Sequence, residues 1–366
     1  WLRNQKITET KGVFTGIDEE TLGDLKQYSN LKKVKKMVKN LNCVIDGFQY
    51  DFGTGGIHGS VEATIIEEDE DYAILDYDVT SLYPSIAIVN DCYPKHLTRK
   101  FCDVYSRLKK DRVSYAKGTP ENAMLKLALN GVYGDSNNPY SPFYDPQYTM
   151  TITINGQLML CMLAEMYMSV EDLKIIQINT DGISVKVKRD KIDDVEKLNK
   201  QWEHITKLDL ERADYKRMFI RDVNNYIGEY TDGKLKRKGA YEYDIDWHQN
   251  HSALVVKKAV EANLVRGIPI KEFIANHDDK FDFMLRMKVP RTSRLMWGDQ
   301  QIQNTTRYYI SEDGAPMVKI MPPLKGKEEK GERHFKQHKI KTNGDEQWNV
   351  TPVNTMPDKL PTEINH

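Results

Sequence analysis

The sequence has few cysteines, no long apolar run and no excess of either charge. Its four cysteines (Cys43, Cys92, Cys102 and Cys161) show no CxxC spacing, which excludes a disulfide scaffold and argues against structural zinc. No run of about 18 apolar residues occurs and no leader pattern opens the chain, so we expect neither a membrane span nor export. Lys and Arg number 53 against 54 Asp and Glu, so any contact with nucleic acid requires local segregation of charge.

The chain is long enough for two or three packed units. It has 366 residues, of which 39% are hydrophobic and 29% charged, a balance that excludes fibrous and disordered proteins. It begins at Trp1 without an initiator methionine, and we therefore expect it to be a fragment of a longer protein.

A glycine-rich segment precedes a predicted buried strand. Four glycines fall within residues 51–59, which predicts a tight loop that another backbone or a ligand can approach closely; a plain hairpin turn is the alternative. The acidic run 67–71 is interpreted as a solvated loop. Residues 72–79 are apolar and strand-like, so Asp76 and Asp78 should share one face of the strand.

The most basic part of the sequence is predicted to form a helical hairpin. Residues 95–117 contain eight Lys or Arg and two Asp. Helical periodicity breaks at Gly118, and a second helix should begin with Thr119 as its N-cap and Pro120 at its first position. On that helix Lys126, Asn130 and Tyr133 form one polar stripe.

Two further hairpins and a long helix complete the pattern. Residues 147–170 suit a mostly buried helix, and residues 174–187 predict a hairpin that turns at Thr180-Asp181-Gly182. A second hairpin should turn at Asp232-Gly233, beside a basic cluster of Lys234, Lys236, Arg237 and Lys238. After about residue 250 the chain is interpreted as helix-rich.

Asp78 and Asp181 are the residues that suggest chemistry. Each lies near the end of a predicted strand, and a basic helical hairpin lies between them in sequence. Mg²⁺ needs few protein carboxylates when substrate phosphates supply the other oxygens, and adjacent cations can neutralise the leaving pyrophosphate. From spacing alone, the alternative is that these aspartates serve as a turn residue and a helix cap.

Two longer motifs resemble those of a known family. Residues 78–86 (DVTSLYPSI) resemble the DxxSLYPSI signature of family B DNA polymerases, and residues 126–134 (KLALNGVYG) resemble their KxxxN(S/G)xYG signature. Asn179-Thr-Asp181-Gly stands where the family usually has Asp-Thr-Asp-Ser. The resemblance spans about residues 50–310 and is closest to phage-like members.

The resemblance implies an α+β, hand-like polymerase fold with an antiparallel-sheet palm, helical-hairpin fingers and a mainly helical thumb. The implied boundaries are 1–49 for an N-terminal scaffold or remnant, 50–98 and 139–245 for the palm, 99–138 for the fingers, and 246–366 for the thumb and C-terminal segment. Residues 1–50 are too few for the family's exonuclease domain, so we expect no proofreading by this chain. The intervals from Asp78 to Lys126 and from Gly134 to Asn179 leave no room for the insertions of the protein-primed branch.

The resemblance also assigns roles to individual residues. Asp78 and Asp181 would bind two Mg²⁺ ions (or Mn²⁺), with the Val79 carbonyl as a further ligand, and Lys126 would act with them in catalysis. Tyr83 would exclude a ribose 2′-hydroxyl, unless it is a core tyrosine. The residues implied to bind the nucleotide are Ser81, Leu82, Tyr83, Arg112, Lys126, Asn130 and Tyr133, with Lys109 or Lys117 as further phosphate ligands. Those implied to bind DNA are Gly55, Gly56, Gly134, Thr180, Tyr226, Lys238 and Gly239, with Arg291, Arg294 and Arg307 in the thumb.

Two departures from the family pattern affect these expectations. Asn179 replaces the first aspartate of Asp-Thr-Asp, and Asn224 replaces the lysine of the primer-binding KxY motif. Asparagine keeps an oxygen but loses a charge, so we expect activity with altered metal affinity. A nucleic-acid-binding relative without catalysis is the main alternative, and an RNA-making relative is another.

The first hypothesis is a monomeric DNA polymerase of the cytoplasm, or of the host cytoplasm if it is phage-encoded. It would extend primer–template DNA with dNTPs, and accessory replication proteins would be its further partners.

Overall fold

The structure is a computed structural model that describes residues 41–246, 249–322, 336–339 and 348–353. The basic run at 31–40 and most of the charged C-terminal segment lie outside these residues. The chain divides into two compact units, Trp1–Arg237 and Lys238–His366. Across the described residues, no helix is both long and apolar enough to cross a membrane.

The first unit is built on a ten-stranded sheet in which every pair of neighbouring strands is antiparallel. The strands are β1 (Asn42–Ile45), β2 (Phe48–Phe52), β3 (Ile57–Ser60), β4 (Thr64–Glu67), β5 (Tyr72–Val79), β6 (Lys174–Asn179), β7 (Gly182–Lys188), β8 (Leu210–Asp222), β9 (Asn225–Tyr230) and β10 (Leu235–Arg237). Their order is β1-β2-β3-β6-β7-β5-β8-β9-β10, and β4 also pairs with β8. The predicted strand 72–79 therefore lies inside the sheet.

The central strand β5 has apolar side chains on both faces because both faces are covered. Leu75 and Tyr77 belong to the larger core cluster, whereas Ile74 belongs to a second cluster. Since side chains alternate along a strand, Asp76 and Asp78 lie on the face of Ile74. This agrees with the prediction that the two aspartates share a face.

The described part of the first unit, from residue 41 onward, contains the helices α1 (Leu82–Val89), α2 (Lys100–Val113), α3 (Pro120–Asp135), α4 (Pro146–Tyr167) and α5 (Ile192–Thr206). Helices α2 and α3 form the predicted helical hairpin. The Thr119 side chain accepts a hydrogen bond from the Asn122 amide at 3.3 Å, and Pro120 occupies the first turn. Gly118 has a φ of 93°, a backbone conformation that glycine adopts without strain. Both the cap and the break were predicted correctly.

The second unit differs from its prediction. It has two α-helices, α6 (Leu254–Arg266) and α7 (Ile270–Ala275), followed by strands β11 (Leu285–Lys288), β12 (Arg294–Trp297), β13 (Gln300–Ile302), β14 (Thr305–Ala315), β15 (Met317–Met321), β16 (Lys336–Lys339) and β17 (Val350–Val353). These strands form one three-stranded and one four-stranded sheet. The expectation of a helix-rich chain after residue 250, and hence of a mainly helical thumb, was wrong.

A local signal for these sheets was present in the sequence. Strands β12 and β13 are joined by Gly298-Asp299, with Gly298 at a φ of 54°, and such a glycine dipeptide favours a hairpin. Leu295, Tyr308 and Met317 are buried in a small core of this unit. The α+β class with antiparallel sheets is confirmed, while the division into palm, fingers and thumb stays a prediction.

Candidate active site

Asp78 and Asp181 lie next to each other in the sheet of the first unit. Asp78 pairs with Gly182 across β5 and β7, and the Val79 amide donates a hydrogen bond to the Asp181 carbonyl at 2.6 Å. A Cβ atom placed on Gly182 would lie 2.1 Å from an Asp78 carboxylate oxygen. The Asp78 carboxylate therefore occupies the space that any side chain at position 182 would need.

The turn that presents Asp181 is held by the neighbouring hairpin. Its two loop residues are Thr180 and Asp181, and Gly182 already belongs to β7, so the turn is one residue earlier than the Asp-Gly signal indicates. Thr180 has a φ of 38°, which is costly for a β-branched residue and requires support. Its amide donates to the Ile57 carbonyl at 2.9 Å, and its hydroxyl lies 3.0 Å from His58 Nε2. Sequence reasoning did not identify His58.

The glycine-rich segment forms that hairpin, which is the alternative left open by the sequence. Strands β2 and β3 pair through Asp51 with His58 and Phe52 with Ile57. A Cβ on Gly56 would lie 3.0 Å from the Thr180 side chain, so glycine allows the two turns to approach. Gly55 accepts a hydrogen bond from the Tyr83 hydroxyl through its carbonyl. A contact of Gly55 and Gly56 with a template strand stays a prediction.

A cavity of about 610 Å³ brings together the residues predicted for catalysis, metal and nucleotide. It is lined by Asp78, Val79, Thr80, Ser81, Leu82, Tyr83, Arg112, Lys117, Gly118, Asn122, Ala123, Lys126, Asn130, Tyr133, Asp181 and Glu211. All ten of the residues predicted for those three roles are among them. Of the rest, Thr80, Asn122 and Glu211 were not singled out from the sequence.

The basic side of the cavity comes from the helical hairpin. Arg112 donates to the Ser81 hydroxyl at 2.7 Å, while its buried Nε has no hydrogen-bond partner among the described residues. Lys126 is exposed, and Lys117 forms an ion pair with Glu211 at 2.7 Å. Lys109 instead donates to the Ser85 hydroxyl at 2.7 Å, and burial lowers the pKa of its ammonium group. Of the two further phosphate candidates, Lys117 thus lines the cavity.

Two tyrosines form one wall of the cavity. The rings of Tyr83 and Tyr133 stack with centroids 4.0 Å apart and an interplanar angle of 23°. Burial raises the pKa of Tyr133 to about 12 and raises the pKa of Tyr83 further. Both phenols therefore stay neutral, and the stack fixes the orientation of the Tyr83 ring.

The charge on Asp78 is controlled by its buried surroundings. Burial, followed by the carboxylates of Asp76 and Asp181, raises the pKa of Asp78 to about 6, against the opposing effect of Lys236. Lys236 Nζ lies 3.2 Å from Asp76 Oδ2 and 3.6 Å from Asp78 Oδ2. Burial lowers the pKa of Lys236, but Asp76 and its other neighbours raise it more strongly. Lys236 is therefore a cation of the site, whereas the sequence indicated only a basic surface cluster.

The residues predicted to contact DNA are more scattered. Tyr226 is only 5% exposed and belongs to the second core cluster, so little of its side chain is accessible to a duplex. Gly134 is exposed near the end of α3. Lys238 and Gly239 belong to the second unit, where Gly239 begins a short 3-10 helix.

The arginines predicted for the thumb also belong to the second unit. Arg307 lies over the Phe281 ring at 4.4 Å and donates to the His251 carbonyl. Arg291 and Arg294 are exposed. The predicted contacts of these residues with DNA stay untested.

The donor set of the cavity fits a hard divalent cation. Within the described ranges, no group of three or more His, Cys, Asp or Glu side chains is arranged to hold a metal ion. Asp78 and Asp181 supply two carboxylates, and Val79 adds a backbone carbonyl to the same lining. Mg²⁺ commonly takes its remaining ligands from water and substrate phosphates.

Among known proteins, this chain is similar to solved structures. No protein-family model and no curated protein matches the chain. A solved structure of the family B DNA polymerase from the hyperthermophilic archaeon Pyrobaculum calidifontis is similar over 70% of this chain, with 16% sequence identity and a TM-score of 0.42. The chain spans 42% of that polymerase's length.

Proposed function

We propose that this chain is a template-directed DNA polymerase, which adds deoxynucleotides from dNTPs to a primer 3′-hydroxyl with the help of Mg²⁺. The observation that supports this most strongly is that Asp78, Asp181 and Lys126 line one cavity. These residues come from distant parts of the sequence, and their convergence on one cavity supports the proposed roles. The cavity of about 610 Å³ is within the range of small-ligand sites.

In this proposal, Asp78 and Asp181 hold the divalent ions together with the Val79 carbonyl. Bound Mg²⁺ would supply Lewis-acid stabilisation of the phosphates and of the attacking 3′-oxygen. At neutral pH the Asp78 carboxylate is mostly ionised, because its pKa of about 6 lies below the working pH. The partly buried ammonium group of Lys236, 3.6 Å from the Asp78 carboxylate, opposes the effect of burial on the pKa of Asp78 and so favours its ionised form.

The triphosphate would lie against the helical hairpin. Arg112 and Lys126 line the same cavity as the aspartates, and cationic donors there would bind the phosphates and stabilise charge on the leaving pyrophosphate. The buried, unpartnered Nε of Arg112 is a donor that a phosphate oxygen could satisfy.

The tyrosine wall would select the sugar. The Tyr83 ring is fixed by its stack on Tyr133 and by the hydrogen bond from its hydroxyl to the Gly55 carbonyl. A ring held at both ends cannot move aside for an additional hydroxyl. We therefore propose that Tyr83 disfavours ribonucleotides, and that primer–template DNA and dNTPs are the substrates.

Primer extension tests the proposal. Asp181→Asn should reduce extension with Mg²⁺ by about a hundredfold or more, because it removes a carboxylate that would hold the divalent ions, and with them their stabilisation of the reacting phosphate. Lys126→Met should raise KM for dNTPs by about 10- to 100-fold, the loss expected for a charge-assisted hydrogen bond. Matched controls are Asp193→Asn and Lys197→Met on the exposed side of α5, which should leave extension unchanged.

Measurements of DNA binding beside primer extension distinguish a catalytic protein from one that only binds DNA. Phosphate contacts make DNA affinity fall as salt rises, so a salt-independent affinity would contradict the proposed DNA contacts. DNA that is bound but never extended, with either Mg²⁺ or Mn²⁺, would instead support a nucleic-acid-binding relative without catalysis. The structural reason to consider this alternative is Asn179, whose amide Nδ2 is committed to the Val223 carbonyl at 3.3 Å.

A further inference from the structure

An ion pair connects the two sides of the proposed nucleotide cavity. Lys117 lies in the turn between α2 and α3, and its Nζ lies 2.7 Å from Oε2 of Glu211 on β8. Both residues line the cavity. The pair therefore joins the helical hairpin to the sheet across the space in which phosphates would bind.

The position of Glu211 is fixed by strand register. Glu211 is paired with Asp78 across β5 and β8, and directly opposed residues of antiparallel strands present their side chains on the same face. Glu211 is thus a carboxylate beside Asp78, on the wall that faces the hairpin. An anionic ligand held by Asp78-bound cations would lie close to it.

The position of Lys117 depends on a less constrained segment. The following residue, Gly118, has a φ of 93° and open space around its α-carbon. The Lys117 and Glu211 side chains are 76% and 49% exposed. An exposed ion pair of this kind is weak, because solvent screens it and two long side chains must be ordered. A triphosphate, which carries several charges, would compete effectively with one half-exposed carboxylate for the ammonium group.

We infer that Glu211 is a positioning residue for Lys117: its carboxylate holds the lysine away from the phosphates and gives it up only when an incoming nucleotide competes for it. The inference rests on the proposed function. In the ligand-free protein the Lys117 ammonium group is paired with the Glu211 carboxylate. A nucleotide must displace that carboxylate before its phosphates can bind the lysine. The carboxylate also repels ligands that carry negative charge without a bound cation, and so favours a metal-complexed nucleotide.

The test is the effect of Glu211→Gln on the KM for dNTPs in primer extension. Removal of the competing carboxylate should lower KM about two- to fivefold, the range that corresponds to an exposed ion pair, with a larger change in KM than in kcat. Lys117→Gln should raise KM. In a Lys117→Gln background the further change Glu211→Gln should have a much smaller effect, since the pair is already broken.

A matched control is available at the other end of the same sheet. Asp172 and Lys188 form an exposed ion pair, and Lys188 ends the strand that begins beside Asp181. Asp172→Asn should therefore leave KM unchanged. Equilibrium binding of dATP to a complex with a dideoxy-terminated primer should show the same order of affinities.

Three results would overturn the inference, and they are distinguishable. Extension by the wild-type chain combined with an unchanged or higher KM in Glu211→Gln would refute the role of Glu211 alone. Failure of the wild-type chain to extend any primer would refute the proposed function, and the inference with it. An equal effect of Glu211→Gln with and without Lys117 would show that the carboxylate acts by general repulsion, and it would refute the positioning role.

Discussion

Replacement of Asp78 by asparagine should stabilise the metal-free protein while abolishing its proposed activity. The fold raises the pKa of Asp78 from 3.8 to about 6, which means that the folded state disfavours the charged carboxylate. This change in pKa corresponds to a gain in unfolding free energy of at most about 3 kcal/mol. The side chain is 49% exposed, so solvent screening reduces the expected gain to about 1 kcal/mol.

The pH dependence of this gain follows from the direction of the shift. The folded pKa of Asp78 lies above its ordinary value of 3.8, so the cost of ionisation is absent below pH 4, grows between pH 4 and 6, and is complete above pH 6. The difference in unfolding free energy between Asp78→Asn and wild type should increase over the same interval. Lys236 keeps its partner Asp76 in the variant, so no unpaired buried charge offsets the gain.

Amide hydrogen exchange in β5 and β7, measured in EDTA from about pH 4 to about pH 8, reports the relevant opening free energies. The matched control is Asp51→Asn, at an exposed aspartate of β2, which should show no such pH-dependent gain. The reasoning would be refuted if Asp78→Asn were no more stable than wild type at pH 7.5, or if Asp51→Asn gained as much.

Three further predictions concern other residues of the site. Lys236→Met should lower the unfolding free energy by about 3–5 kcal/mol in denaturant titrations, because it leaves the buried carboxylate of Asp76 unpaired; adding Asp76→Asn should restore part of the loss, and no restoration would contradict the pairing. Tyr83→Ala should raise the ratio of ribonucleotide to deoxynucleotide incorporation by about tenfold or more, whereas Tyr83→Phe, which keeps the ring, should not. Asn179→Asp should cost about 1 kcal/mol of stability through loss of its hydrogen bond to the Val223 carbonyl. A metal titration of that variant should show altered metal dependence, and an unchanged titration would remove Asn179 from the account of metal affinity.

The parts of the fold that could be predicted are those with local signals. The Thr119-Pro120 cap and the apolar segment around Asp78 each depend on neighbouring residues. The motif around Lys126 placed its polar stripe correctly on one side of a helix. Together with the family resemblance, these signals predicted ten of the residues that line the cavity.

The parts that could not be predicted depend on pairing between distant strands. Lys236 reaches Asp76 and Asp78 only because β10, β9, β8 and β5 are consecutive neighbours in the sheet. Glu211 enters the cavity through its register with Asp78. No local sequence pattern encodes such a register. Lys236 was therefore interpreted only as part of a basic cluster, and Glu211 was not identified.

Because Asp78 and Gly182 are in close contact, a substitution at position 182 also affects Asp78. Any side chain at 182 would displace the Asp78 carboxylate, and the two residues are encoded far apart in the chain. A substitution at position 182 should therefore affect the site much as a substitution of Asp78 would. The strand would still form, but the Asp78 carboxylate would point elsewhere. A lineage that keeps the Asp78 carboxylate in place must therefore also keep glycine at position 182.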